Sequence, residues 1–270
     1  MLKEIGETLY AEWLFVARSQ FFSAYWIVVL LSNIFLIPIF WKEKFRWLKI
    51  VGTLLIFYFT HRMLIITVPY TTWELNIDFL FTKQKLLYES SIWIKKLYLA
   101  AFYTHIFSAP FVLIAGASQF SQKLMIDYAH WHRNIGKIYI VIILLFSAPA
   151  GFVMSLFANG NAVSVFSFIL LSSLWWFFNY KAYRLAQKRD FVTHGNWMLR
   201  GYALTLSAVT LRLYMFLIAT FKWFSFLSPT EIYVMLSFLS WIPNLIITEI
   251  LISRGLSKKM MQKRRPLKKV

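Results

Sequence analysis

Eight ionisable side chains stand within or at the mouths of stretches that are otherwise apolar: His61, Arg62, His105, His130, His132, His194, Arg212 and Glu249. Inside hydrocarbon such groups are costly and point to function by default. Neutral imidazole is an axial ligand for haem iron and a proton donor or acceptor near neutral pH. A guanidinium does not deprotonate, so Arg212 must meet an acceptor, an anionic or carbonyl group above all. The chain has no Cys, which excludes disulfides, iron–sulfur ligation and covalent haem attachment. It has no Walker loop, no GxSxG and no HExxH. The pair His130-x-His132 offers two ligands toward a zinc or copper site, which His194 or Asp127 would have to complete.

Spacing sorts these residues onto faces. His194 and Arg212 are separated by a whole number of turns at about 3.6 residues per turn, so both point the same way, about 27 Å apart on a continuous helix. Met198, Gly201, Thr205 and Ala208 share that face. A second stripe runs through His105, Ala109, Val112, Gly116 and Gln119, and a third through His132, Gly136 and Tyr139. Two storeys follow. The inner one gathers His132, His194 and Gln119 with Arg133 and Arg200 nearby; the outer one gathers His105, His61 and Arg212 with Arg62 behind. Of His130 and His132, two residues apart, only one can face a bundle.

The elements that must position these stripes are membrane helices. Hydrophobic residues make up 59% of the 270, aromatics 20% and charged residues only 15%, against about 25% charged in soluble proteins. Such a chain would aggregate in water. Stretches long enough to span, about 20 apolar residues, fall at 21–41, 49–69, 98–119, 135–157, 162–180, 201–222 and 231–253, with Pro243 expected to kink the last. Trp41, Trp47, Tyr70, Trp93, Tyr98, Tyr180 and Trp223 lie near their ends, as interfacial anchors do. Residues 8–18 read as a short interfacial helix. Glu4, Glu7 and Glu12, with no small-residue cleavage site, argue against a cleavable signal in the first span.

The formal charge of +18 then acquires a meaning. The Lys and Arg of 42–49, 123–137, 181–200 and 254–269 fall on one side of a seven-span arrangement and outnumber those on the other by roughly three to one. This puts the N-terminus outside and the C-terminus inside. The basic charge therefore reflects insertion topology and does not point to nucleic acid. The expectation is one all-α transmembrane domain over 1–253 in a bacterial cytoplasmic membrane, with a basic tail, 254–270, that meets anionic lipid headgroups.

Two stretches also resemble a family of bacterial membrane proteins known as domain of unknown function 2306. One is His132-Arg133-x-x-Gly136-x-x-Tyr139; the other runs from His194-Gly-Asn-Trp197-Met198-Leu-Arg200-Gly-Tyr202 to Arg212. His105…Gly116-x-x-Gln119-Phe120 is similar to the same family, so the likeness covers about 98–220. Gly201 stands where the family pattern implies Ser. The resemblance implies which residues matter and brings no activity.

Three readings remain open. In the first, His132 with His194 and His61 with His105 ligate b-type haem for electron transfer, Arg212, Arg200 or Arg133 meets the propionates, and Gly116, Gly136 and Gly201 leave room for the macrocycle. In the second, an enzyme, carrier or sensor holds a quinone, lipid or other small amphiphile, with Arg212 on its polar head and His105 exchanging a proton. In the third, the polar groups only bond helices together in a non-catalytic scaffold.

Overall fold

A computed structural model describes residues 46–261, whose regular elements are all helices, with no strand among them. The first expected span, the interfacial helix at 8–18 and the end of the basic tail lie outside the described residues. Helix α1 (Arg46–Thr67) occupies the second expected span. Five further helices are long and apolar enough to cross a membrane: α2 (Ile92–Ser118), α3 (Ala129–Ser155), α4 (Ala162–Gln187), α5 (Phe191–Phe221) and α6 (Pro229–Ser253). The multi-pass helical class expected from composition is therefore present, with five such spans among the described residues in place of the full seven.

Local chemistry sets where most of these helices begin. Ser91 accepts from the Ile94 N–H at the start of α2, and Asp190 from Thr193 N–H at the start of α5. Asn161 with Ser164, and Ser228 with Glu231, form reciprocal capping boxes on α4 and α6. Each satisfies amide donors that the first helical turn leaves without partners. Left-handed residues at Arg189 and Lys222 turn the chain after α4 and α5.

Short connections make α2 to α6 alternate in direction. One end of the bundle collects residues 119–128, 188–190 and the helix Leu256–Met261, tied by a bond from Gln122 to the Met260 carbonyl. This basic end carries Lys123, Arg133, Lys137, Lys181, Arg184, Lys188 and Arg189. The far end is closed by residues 68–91, where Tyr70, Leu80 and Leu87 bury against Tyr98 and Phe102 of α2. Lys83 in this cover is itself buried and donates to the Phe157 carbonyl and to Asn159 Oδ1 in the α3–α4 connection. Desolvation lowers its pKa to about 8.

Three of the spans are interrupted. Helix α3 loosens into a π-helical turn over Ile142–Ser147. The Ala148 N–H bonds to Ile143, five residues back, and Pro149 has no N–H to give to Leu144. The orphaned Leu144 carbonyl is taken by Trp176 Nε1 of α4 at 3.1 Å. Helix α5 breaks at Leu206, after Thr205 has turned its hydroxyl back onto the Gly201 carbonyl, a bond that bends helices. The uninterrupted helix assumed from His194 to Arg212 is thus two segments. Helix α6 breaks at Ser240–Trp241, and Pro243 lies in the first turn of the following segment, where it is tolerated. Asn244 joins the two breaks by donating to Ala203, Thr210 and Ser240.

Candidate functional site

His105 lies midway along α2, its ring facing α3 and α4. Its Nδ1 is 2.9 Å from the Ser147 carbonyl, in the π-helical turn. A carbonyl only accepts, so Nδ1 carries the proton and neutral His105 presents a bare Nε2. No hydrogen bond engages that Nε2 among the described residues. Ser147 is fully buried and shares a 2.6 Å hydroxyl contact with Ser108. Gly151 leaves space for the imidazole: a Cβ there would come within 3.2 Å of it. Trp175 of α4 meets the ring edge-on at 6.4 Å between centroids.

Arg212 faces the same region from α5. Its charge acts on the His105 imidazole and on the hydroxyl of Tyr70 in the far-end cover. Its one hydrogen bond to protein, 2.9 Å long, goes to the Ala208 carbonyl of its own helix. No carboxylate reaches it among the described residues, and its side chain is exposed even though protein surrounds it. Arg212 thus keeps an accessible guanidinium while protein groups lie around it. Arg212 and His105 therefore place a charged donor and a neutral acceptor within electrostatic range of each other. Of the other residues assigned to the outer storey, His61 is half-buried on α1, and Arg62 beside it is buried with its Nη2 lacking a hydrogen bond.

The inner storey lies at the basic end. His132 and His194 are close enough for their charges to act on one another. His194 donates Nδ1–H to the Ala182 carbonyl of α4 at 2.8 Å, which again leaves Nε2 unprotonated in the neutral ring. The Nδ1 of His132 is buried and has no partner. His130 is exposed and bonds Asn134 one turn on, so His132 is the member of the pair that turns inward. Gln119 is buried against Gly136. Arg200 is paired: Nε and Nη2 bond the two oxygens of Glu249 at 2.5 and 2.8 Å, and its guanidinium lies over Trp197.

The glycines expected to admit a porphyrin do something else. A Cβ at Gly116 would meet the rings of Tyr202 and Tyr139, one at Gly136 the Gln119 amide, and one at Gly201 the Asn179 amide, all within 2.8 Å. Those clefts hold side chains, so the space assigned to a macrocycle beside them is already filled. Among the described residues no three His, Cys, Asp or Glu gather as a metal-binding group, and the zinc or copper arrangement around His130 and His132 does not form.

Two participants, Trp175 and Asn179, escaped the helical-face reading, and they meet Tyr139 and Thr205, which did not. Trp175 bonds Thr205 Oγ1 at 3.0 Å. Tyr139 places its hydroxyl within reach of the same Thr205 but without an aligned bond. Asn179 is fully buried, with Nδ2 on the Trp175 carbonyl and Oδ1 unpartnered. Asn179 was visible in the sequence as the lone amide in an apolar span, and Ser147 as the polar residue before Ala148-Pro149.

The family model described as a predicted membrane protein (DUF2306) matches residues 102–252, more than half of the chain. No curated protein and no solved structure matches it. The matched segment contains His105, His132, His194 and Arg212, and leaves α1 and the far-end cover outside. The chain belongs to this family of predicted membrane proteins of unknown function.

Proposed function

We propose that the protein binds a small amphiphile with an anionic or carbonyl head, of the quinone or lipid class, between Arg212 and His105. It does so as an enzyme, carrier or sensor of a bacterial cytoplasmic membrane. The observation that carries this reading is Arg212 itself, an accessible guanidinium well inside a span with no carboxylate partner among the described residues. An uncompensated charge at that depth is expensive, and a ligand oxygen accepting both Nη groups would remove the cost. His105 complements it by accepting a hydrogen bond, or a proton, from the ligand on Nε2. In this reading the basic end is cytoplasmic, with the N-terminus outside and the C-terminal basic segment at the anionic headgroups.

The test uses purified protein in nanodiscs with two probes, a short-chain benzoquinone and a fatty acid, followed by tryptophan quenching and native mass spectrometry. One probe binds the wild type at one equivalent. Arg212→Gln weakens that binding at least tenfold, and Arg212→Lys weakens it measurably because an ammonium cannot make the bidentate contact. Undiminished binding by Arg212→Lys would defeat the bidentate role. Equal behaviour of wild type and Arg212→Gln toward both probes would defeat the site and leave the scaffold reading.

A further inference from the structure

Between the mid-span cluster and the basic end lies a file of polar groups in the dry interior, shared by α3, α4 and α5. It starts at the edge of Trp175, beside His105, and passes to Thr205 Oγ1. The Tyr139 hydroxyl lies next to Thr205, and the Asn179 amide lies over Gly201, one turn from Thr205 toward the basic end. Two turns further along α5 from Gly201 stands His194, with His132 two turns from Tyr139 along α3. Three atoms of this file are sealed from solvent: Asn179 Oδ1 and His132 Nδ1 have no hydrogen bond, and Tyr139 OH has only its unaligned approach to Thr205. Tyr139 and Asn179 are both 0% exposed.

Buried polar groups without partners cost about 1–3 kcal/mol each, and their usual remedy is an internal water that touches two to four polar atoms. Three such atoms, spaced along one line and interleaved with a hydroxyl and two imidazoles, exceed what isolated packing defects would produce. The two intervening stretches, from Gly201 beneath the Asn179 amide to His194 and from Tyr139 to His132, are each about 10 Å at about 1.5 Å per residue, a distance that two or three waters bridge.

We propose that Tyr139, Thr205 and Asn179 hold a chain of internal waters that carries protons between the His132–His194 pair at the basic end and His105 at mid-span. A proton taken up on His194 Nε2 leaves from the same nitrogen to the first water. Each hydroxyl or water along the file accepts one proton and releases another, and His105 Nε2 receives the last. No bond other than O–H and N–H changes; every relay group returns to its starting charge, and His105 carries the positive charge until its Nε2 passes the proton on. The carrier is water, and no oxidant or reductant is required. The inference rests on the amphiphile reading only for the purpose it serves, which is to supply or remove the proton of a bound head group. The water file itself needs no ligand.

The first experiment is hydroxyl-radical footprinting of the full chain in nanodiscs, which modifies buried residues that touch internal water. Tyr139 is compared with Tyr98, which is 1% exposed and packed among Phe102 and Phe157. Tyr139 is modified at least tenfold faster; equal rates overturn the water file. The second follows deuterium exchange of the 15N-labelled His105 ring. Tyr139→Phe removes only a hydroxyl without an aligned protein bond, so the fold is kept, and exchange at His105 slows at least tenfold. Tyr98→Phe leaves that exchange unchanged. Exchange at wild-type rate in Tyr139→Phe overturns the proton role. Both readouts are taken without ligand, so loss of amphiphile binding in Arg212 variants does not bear on them.

Discussion

Alanine at Gly116 and alanine at Gly136 should have opposite effects, and the contrast tests what fills the core. At Gly116 the added Cβ would sit 2.6 and 2.7 Å from the Tyr202 ring and 2.8 Å from the Tyr139 ring, where ordinary contact begins at 3.4 Å. The rings come from α5 and α3, both tyrosines are buried, and Tyr139 is completely so. Neither ring can swing aside, so α2 must retreat from two neighbours at once. Overpacking of this kind costs about 1–3 kcal/mol, and two rigid obstacles place it at the upper end. Alanine recovers about 1 kcal/mol of helix propensity, so the net loss is about 2 kcal/mol. At Gly136 the one close atom is Oε1 of Gln119, at 2.8 Å; the next is at 3.6 Å. That amide is the far end of a flexible side chain with a single 3.3 Å bond to Ser118. Rotating it away forfeits about 0.5 kcal/mol, so the same helical gain leaves Gly136→Ala neutral or slightly stabilised. Thermal melts in one detergent should separate the variants by roughly 4–8 °C, at about 2–4 °C per kcal/mol for a chain of this size. If Gly116→Ala melts with the wild type, or Gly136→Ala proves the more damaging, the clefts are not filled as described, and a cofactor beside these glycines regains its case.

Two other outcomes follow from charges at opposite ends. Burial depresses Lys83 to about 8, so between pH 8 and its ordinary value the unfolded chain binds more protons than the folded one, and stability must rise with pH across that window. Measured against Lys83→Met, the wild type should gain stability from pH 8 to 10; a flat difference would mean the ammonium is solvated. Glu249→Gln should cost under about 1 kcal/mol and matter less in high salt, because the Glu249 side chain is 52% exposed and the pair is screened. A loss of several kcal/mol, insensitive to salt, would instead place Arg200 and Glu249 in a dry interior.

Hydropathy located the spans because the lipid requirement for about 20 apolar residues is a strong constraint. The observed α2, α3 and α6 begin within about six residues of their expected starts. The larger misses have a common cause. Helix α5 begins at Phe191, ten residues before the expected span, and α4 continues to Gln187 past the expected end at 180. There Asp190 caps the chain, and Lys181, Arg184 and Arg200 extend the helices with long side chains that reach the polar zone, where hydropathy no longer registers them. The faces were legible at Val112, Gly116, Tyr139, Met198, Gly201 and Thr205, all buried. The interruptions were not. A π-helical turn depends on which carbonyl meets which indole, here Leu144 and Trp176 from separate helices, and no local pattern encodes that meeting. For the same reason small residues on a face indicated close approach without identifying what approached, here tyrosine rings and amides.

The arginines show how a guanidinium that builds the fold differs from one that the fold leaves open. Arg200 stands at the same kind of depth as many topology-setting residues, and it is paired bidentately with the two oxygens of Glu249 and lies over an indole. Removing Glu249 leaves Arg200 close to water, which limits the penalty. Arg212 is bonded once, to its own helix, and acts on an imidazole whose proton is fixed on the side away from Nε2. If its task were to hold helices together, a carbonyl or carboxylate from a neighbouring helix would be the economical partner, and Ser147 shows that such carbonyls are within the vocabulary of this bundle. The guanidinium instead acts on an imidazole whose Nε2 is open. Under the proposed reading, with an amphiphile head between the two, that arrangement is costly in an empty protein and favourable in an occupied one.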